Sequence, residues 1–170
     1  MKSTKLVIIG GVAGGATAAA RARRMDEGAE IILFERGEHI SFANCGLPYY
    51  IGSVIEKRDD LLVTTPEKFR ERYRIDVRIG SEVSAIDPAN KTVEVKAAGD
   101  RKGYRESYDK IILSPGAEPT RPPIEGVDLD EVFTLRNIRD SDRIKDHVDR
   151  RGPGTAVIVG AGFIGLEMAD

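Results

Sequence analysis

The chain has 170 residues, 41% hydrophobic and 32% charged, with a net charge of -2, enough for one core burying about 70% of the unfolded surface. That balance speaks against nucleic acid as the main partner, which calls for a basic excess. No apolar run has the length of a membrane span and the N-terminus lacks a signal-peptide layout, so a cytoplasmic protein with no membrane partner is expected. The single cysteine forbids an intrachain disulfide or a C-x-x-C dithiol, and His39 and His147 stand far apart with no second thiol, so no metal site is expected.

Lys5-Leu6-Val7-Ile8-Ile9 is a short β-branched run of the kind that forms a buried parallel strand. It leads into Gly10-Gly11-Val12-Ala13-Gly14-Gly15 and a small-residue, helix-favouring stretch over 16–24. A second apolar run, Glu30-Ile31-Ile32-Leu33-Phe34, ends at Glu35. Strand, glycine turn, helix, strand and terminal acid make up the βαβ unit that binds dinucleotides. Gly10 allows the tight turn, Gly14 and Gly15 allow close helix packing, and free amides at the helix start face a pyrophosphate. Glu35 is placed to accept hydrogen bonds from an adenosine ribose. Val12 stands at the second fingerprint glycine, and Glu35 falls 25 residues after Gly10, beyond the spacing of about 20 in the pattern. The plain alternative is a tightly packed strand-to-helix corner.

The stretch over 40–52 carries the only cysteine, Cys45. Pro48 is tolerated in the first turn of a helix and not deeper, so a short helix is predicted just after Cys45. The sulfur then sits at the helix's positive end, where a thiolate is favoured. Asn44 and Ser41 lie close enough in sequence to hydrogen-bond a sulfur anion or a substrate. The plain alternative is a small buried apolar residue.

Further on, Thr65 and Pro66 mark the cap and first position of a helix running to about Tyr73. A strand over 75–80 follows, then short strands over 82–87, 92–96 and 104–108, joined by turn-rich connectors at 87–90 and 99–103. Val93 and Val95 share one face of the middle strand, so an antiparallel meander inserted into a parallel sheet is predicted. Residues 108–113 return as a parallel strand ending in the turn Ser114-Pro115-Gly116-Ala117, at the sheet end where ligands sit. Residues 119–126 read as extended connector, 132–135 as a brief strand, and 137–150 as a polar helix. An apolar run at 155–159 then leads into Gly160-Ala161-Gly162-Phe163-Ile164-Gly165, a complete G-x-G-x-x-G. The expected class is therefore α/β: a Rossmann-like dinucleotide-binding domain over 1–150, then the start of a second over 151–170. A strand and one helix cannot cover a parallel sheet, so the chain is expected to be the front portion of a longer protein.

Two dinucleotide turns about 150 residues apart with a redox-type cysteine between them resemble the flavin-dependent pyridine nucleotide-disulfide oxidoreductases. The run Ser41-Phe42-Ala43-Asn44-Cys45-Gly46-Leu47-Pro48-Tyr49-Tyr50-Ile51-Gly52 is similar to the single-cysteine branch, and within it to the coenzyme A disulfide and persulfide reductases. The Val12 departure is shared by relatives in this group. The resemblance implies NAD(P)H at Gly160, Gly162 and Gly165, reducing FAD held by Gly10, Val12, Ala13, Gly14, Gly15, Glu35, Arg36, Val83, Ser114, Pro115 and Gly116. Reduced flavin then cleaves a mixed disulfide between Cys45 and coenzyme A, with the thiolate that exchange chemistry requires.

It also implies that Thr17, Arg21 and Arg24 meet the coenzyme A phosphates, with Ser41 and Asn44 near the sulfur end. Arg21 and Arg24 lie three apart and share a helix face, which is otherwise a solvated surface. Tyr73 stands where some relatives carry a basic residue. A homodimer is implied for the full-length protein. The substrate reading is coenzyme A disulfide, or persulfides of coenzyme A and small thiols. The alternatives are an NADH oxidase or peroxidase cycling through a cysteine sulfenic acid, and a non-catalytic FAD-binding module. The 170-residue portion alone is expected to be inactive.

Overall fold

The computed structural model describes residues 3–99 and 102–169; Asp100 and Arg101 of the predicted 99–103 connector, and Asp170, lie outside the described residues. The elements run β1 (Lys5–Ile9), α1 (Gly14–Met25), β2 (Glu30–Phe34), α2 (Leu47–Ile51), α3 (Pro66–Tyr73), β3 (Asp76–Arg78), β4 (Ser81–Asp87), β5 (Thr92–Ala97), β6 (Tyr104–Ser107), β7 (Lys110–Leu113), α4 (Ile138–Arg151) and α5 (Phe163–Ala169). They fall into two compact units, one of Met1–Phe42 with Leu62–Gly116, the other of Ala43–Leu61 with Ala117–Asp170. No described helix is long and apolar enough to cross a membrane.

The first unit holds a parallel sheet in the order β3-β2-β1-β7. Parallel strands covered on both faces need apolar side chains at nearly every position, which explains the unbroken Ile31-Ile32-Leu33-Phe34. On one face Ile8, Ile31, Leu33 and Val77 pack with Ala16, Ala19 and Ala20 of α1 and Phe69 of α3. The alanines let the helix lie close to the sheet. On the other face Val7, Ile32 and Phe34 meet Val93, Val95 and Tyr108. The predicted meander, β4-β5-β6, forms a separate antiparallel sheet that acts as this covering layer, with Glu94 and Lys96 of β5 exposed.

Charge joins the two layers. Lys5 Nζ lies 2.6 Å from Glu106 Oε1, and Arg78 Nη1 lies 2.7 Å from Glu106 Oε2. Burial alone would raise the Glu106 carboxyl, but the hydrogen bonds and charges of Lys5 and Arg78 outweigh it and hold the group below its ordinary range. Lys5 is raised: burial opposes its charge, and the hydrogen bonds to Glu106 and Glu30 more than compensate.

Helix α3 begins and ends where its signals stand. Thr65 Oγ1 accepts from the Lys68 amide at 3.3 Å and Pro66 opens the first turn. Arg23, which the sequence did not single out, ties the end of α1 to the end of α3 by donating to the Ala29, Tyr73 and Arg74 carbonyl oxygens at 2.8, 2.8 and 2.9 Å.

In the second unit α2 packs against α4 and α5. Helix α4 opens with a capping box, in which the Asn137 side chain accepts from the Asp140 amide while the Asp140 carboxylate accepts from the Asn137 amide. Two predicted strands are absent. Residues 132–135 and 155–159 have irregular backbone, because a strand exists only as part of a ladder and no neighbouring strand reaches them among the described residues. Val157 and Val159 are each 85% exposed. The strand predicted over 75–80 shortens to Asp76–Arg78, since Gly80 turns at φ 60°.

Candidate active site

The register of the parallel sheet aligns three predicted residues. Ile9 is paired with Phe34 on one side and with Leu113 on the other. The next residue of each strand, Glu35, Gly10 and Ser114, therefore forms a row across the carboxyl end of the sheet. Backbone bonds hold that row: the Gly10 amide donates to the Phe34 carbonyl and the Ser114 amide to the Ile9 carbonyl, both at 2.8 Å. Because β1 is flanked by β2 and β7, whose connections leave in opposite directions, this is the switch point at which open α/β sheets bind ligands.

At two glycines of the turn a Cβ would meet backbone, and at a third a side chain. Gly10 has φ 94°, and a Cβ there would lie 2.0 Å from the Ser114 carbonyl oxygen. A Cβ on Gly14 would lie 2.5 Å from Ser114 Oγ, and one on Gly15 only 1.7 Å from the Gly10 carbonyl oxygen. Val12 and Ala13 fill the positions between, and Ala13 is the α1 N-cap without a side-chain cap bond. The first turn of α1 contains no acidic residue either. Its outermost amides and positive dipole end are thus left to an outside acceptor, whereas α3 and α4 cap themselves. A cradle of glycines at an uncapped helix start suits the pyrophosphate of a dinucleotide.

Glu35 is partly satisfied already. Its Oε2 accepts from the Gly11 amide and its Oε1 from the Gly37 amide, each at 2.7 Å. The carboxylate is thereby held rigidly at the end of β2, with further lone pairs on both oxygens. Arg36 beside it is exposed. Val83 is half-buried and packs against the core under the meander, next to a register shift between Val83 and Ala85. Pro115 and Gly116, the latter at φ 71°, continue from Ser114. Ser41 adopts φ 47°, uncommon for a residue with a side chain. Its amide donates to the Gly11 carbonyl at 3.0 Å and its carbonyl accepts from Val63 at 2.9 Å, so it is tied directly to the glycine turn. Thr17, Arg21 and Arg24 are all exposed on α1, and their spacing of four and three puts them on one helix face.

In the second unit, Asn44, Cys45 and Gly46 form one 3-10 turn directly before α2. Cys45 is exposed, which removes the reading of a buried apolar residue, and Asn44 is exposed beside it. The turn is held in place around Gly46, whose absent side chain would come 2.9 Å from Leu61 Cδ2 and 3.1 Å from Ile55 Cδ1. The Ala43 amide donates to the Leu61 carbonyl at 2.8 Å. Leu47, Pro48 and Ile51 then bury the inner face of α2. The sequence thus builds a fixed platform that leaves its sulfur open.

The second glycine turn repeats the first in its own unit. Gly160 has φ 115°, and a Cβ on Gly165 would meet the Gly160 carbonyl oxygen at 2.1 Å and Ile158 Cγ2 at 3.4 Å. The corresponding partners of Gly15 are the Gly10 carbonyl and Ile8 Cγ2. A Cβ on Gly162 would meet nothing within 4 Å. The turn therefore takes its shape from local packing even though residues 155–159 are not paired.

Two such turns and an exposed cysteine are the parts that a dinucleotide-dependent redox protein requires. The family model for pyridine nucleotide-disulphide oxidoreductases matches residues 4–170, and the chain belongs to that family. Among curated relatives, the coenzyme A disulfide reductase of Staphylococcus haemolyticus is 44% identical over 166 residues, covering 98% of this chain and 37% of that protein. Three solved structures are similar. Reduced Bacillus anthracis CoADR-RHD has a TM-score of 0.95 and 52% identity over 99% of this chain and 30% of its own. The NAD-dependent persulfide reductase from A. fulgidus has a TM-score of 0.91 and 37% identity over 97% and 31%. The water-forming NADH oxidase from Lactobacillus brevis has a TM-score of 0.91 and 30% identity over 98% and 36%. The chain thus spans only 30% to 37% of the lengths of these proteins.

Proposed function

We propose that the protein is an FAD-dependent NAD(P)H oxidoreductase that reduces coenzyme A disulfide, or persulfides of coenzyme A and small thiols, through Cys45 as its single redox cysteine. The observation that carries this reading is the exposed sulfur of the chain's only cysteine, on a turn built to present it. No second thiol stands among these 170 residues, so the sulfur that pairs with Cys45 comes from outside them, and the proposal assigns it to the substrate. The 44% identity to a coenzyme A disulfide reductase supports the choice of thiol.

In this reading residues 1–150 bind FAD and 151–170 begin the NAD(P)H domain. The uncapped start of α1, with Gly10, Gly14 and Gly15, takes the FAD pyrophosphate, and Glu35 takes a ribose. Val12, Ala13, Arg36, the Val83 backbone, Ser114, Pro115 and Gly116 complete the flavin contacts, while Gly160, Gly162 and Gly165 admit NAD(P)H. When bound, FAD supplies the passage of two electrons from NAD(P)H to a disulfide.

The chain's own step is thiol exchange. The Cys45 thiolate attacks one sulfur of the substrate disulfide, the S–S bond breaks, and one coenzyme A thiolate leaves while Cys45 keeps the other half as a mixed disulfide. Asn44 and Ser41 offer hydrogen bonds to the sulfurs. The exposed Thr17, Arg21 and Arg24 form the hydroxyl-and-guanidinium face that the substrate phosphates require. A cytoplasmic homodimer of the full-length protein belongs to the same proposal.

The second reading, reduction of oxygen or peroxide through a Cys45 sulfenic acid, draws on the likeness to the Lactobacillus brevis oxidase. Steady-state turnover of the full-length enzyme with coenzyme A disulfide, a persulfide, peroxide and oxygen separates the two. The proposal expects disulfide or persulfide turnover that Cys45→Ser abolishes with flavin still bound. Turnover of oxygen or peroxide alone contradicts it.

A further inference from the structure

We infer that Asp142 of α4 is a positioning residue for Cys45, acting through a polar clamp on α2; this rests on the proposed role of Cys45. Arg58 Nε donates to both carboxylate oxygens of Asp142, at 2.9 and 3.2 Å. Burial first, and then the nearby charge of the same carboxylate, raise the Tyr50 hydroxyl above its ordinary range. A second tie runs beside it, with Lys145 Nζ 2.7 Å from Ser53 Oγ and 5.5 Å from the Tyr50 ring centroid. Helix α4 thus reaches α2 through Lys145, over Tyr50 and at Ser53 just past its end, while Asp142 holds the turn beyond at Arg58.

The reason such a clamp matters is the length of α2. Five residues are far too few to hold a helix by internal hydrogen bonding, so the orientation of this element is set by what it packs against. The buried Leu47, Pro48 and Ile51 fix its depth. Apolar contact is non-directional, and the rotation of the helix about its axis falls to the polar ties. Cys45 lies in the turn that leads straight into α2, so any rotation is transmitted to the sulfur. The ion pair is about a third exposed on both sides, 37% and 34%. Pairs of that kind contribute little to stability. Its consequence is expected in geometry, where a shift of about 1 Å in a reacting group can cost up to a hundredfold in rate.

The test uses the full-length, FAD-loaded enzyme with Asp142→Ala, Arg58→Ala, the double variant and the conservative Arg58→Lys. Disulfide turnover is expected to fall about tenfold in each alanine variant, with the double no worse than the singles because both remove the same contact. Arg58→Lys restores most of it. The KM for NAD(P)H and the reduction of ferricyanide, which bypasses Cys45, stay unchanged, and Tm shifts by no more than about 3 °C. The rate of Cys45 alkylation by iodoacetamide changes in the same order as disulfide turnover. Unchanged disulfide turnover and alkylation overturn the inference. So does a parallel fall in every activity together with Tm, which marks a structural role only. A wild-type enzyme that reduces ferricyanide but no disulfide overturns the functional proposal itself, and the alkylation rates then decide the positioning role alone.

Discussion

Gly15→Ala perturbs the helix start in a way that intrinsic preference and packing judge oppositely. Alanine is better than glycine in a helix by about 1 kcal/mol, and Gly15 lies in α1 without a positive φ. Propensity alone therefore predicts stabilisation. The new Cβ, however, would sit 1.7 Å from the Gly10 carbonyl oxygen, and side-chain carbons essentially never approach closer than 3.0 Å. The helix or the turn must retreat by about 1.3 Å in an interior packed as densely as an organic crystal. Overpacking costs about 1–3 kcal/mol and more against rigid backbone. We take the upper end, which leaves a net loss of about 2 kcal/mol, or about 4–8 °C in Tm for a chain of this size. Thermal unfolding followed by circular dichroism, with and without FAD, measures it. The same displacement moves the helix-start amides, so flavin retention falls with stability. A Gly15→Ala protein as stable as the parent and equally able to hold FAD refutes the close-approach reasoning.

Gly162→Ala offers the contrast, since a Cβ there meets nothing within 4 Å: stability stays constant while the KM for NAD(P)H in the full-length enzyme rises about tenfold, as a glycine kept for ligand approach requires. Glu106→Gln removes the ion pairs to Lys5 and Arg78 and lowers unfolding free energy by about 1–3 kcal/mol near neutral pH. The folded Glu106 carboxyl is depressed, so its contribution is present above its unfolded value of about 4.3 and is lost as pH falls through the lower folded value. Urea titrations at pH 7 and pH 3 should show the gap between parent and variant narrowing at the acid end. Asn137→Ala breaks the α4 capping box and costs about 1 kcal/mol in the same titrations.

Local signals made much of this fold legible. The bounds of β1, β2 and α3 match the apolar runs and the Thr65-Pro66 start because their causes lie within a few residues. The row of Glu35, Gly10 and Ser114 was readable as three separate strand ends; only the register showed them adjacent. Residues 132–135 and 155–159 were misread for a physical reason: a β-branched run states a preference, and a strand needs a partner. The Arg58–Asp142 tie joins residues 84 apart with no spacing pattern to announce it. Arg23 passed unnoticed between Arg21 and Arg24 for the same reason, its partners being carbonyls of Tyr73 and Arg74 on another helix. The sequence reads Gly14 and Gly15 as places of close helix packing and Gly162 only as part of a second turn; the structure separates Gly15, which packing demands, from Gly162, which packing does not.

The most direct measurement treats the full-length protein with coenzyme A disulfide in the absence of NAD(P)H and weighs it intact, then maps the peptide that carries any adduct. Thiol exchange at the exposed sulfur predicts one coenzyme A thiol per chain, attached at Cys45, absent in Cys45→Ser and released when NAD(P)H is added. A protein that turns over coenzyme A disulfide while Cys45 stays unmodified contradicts the account.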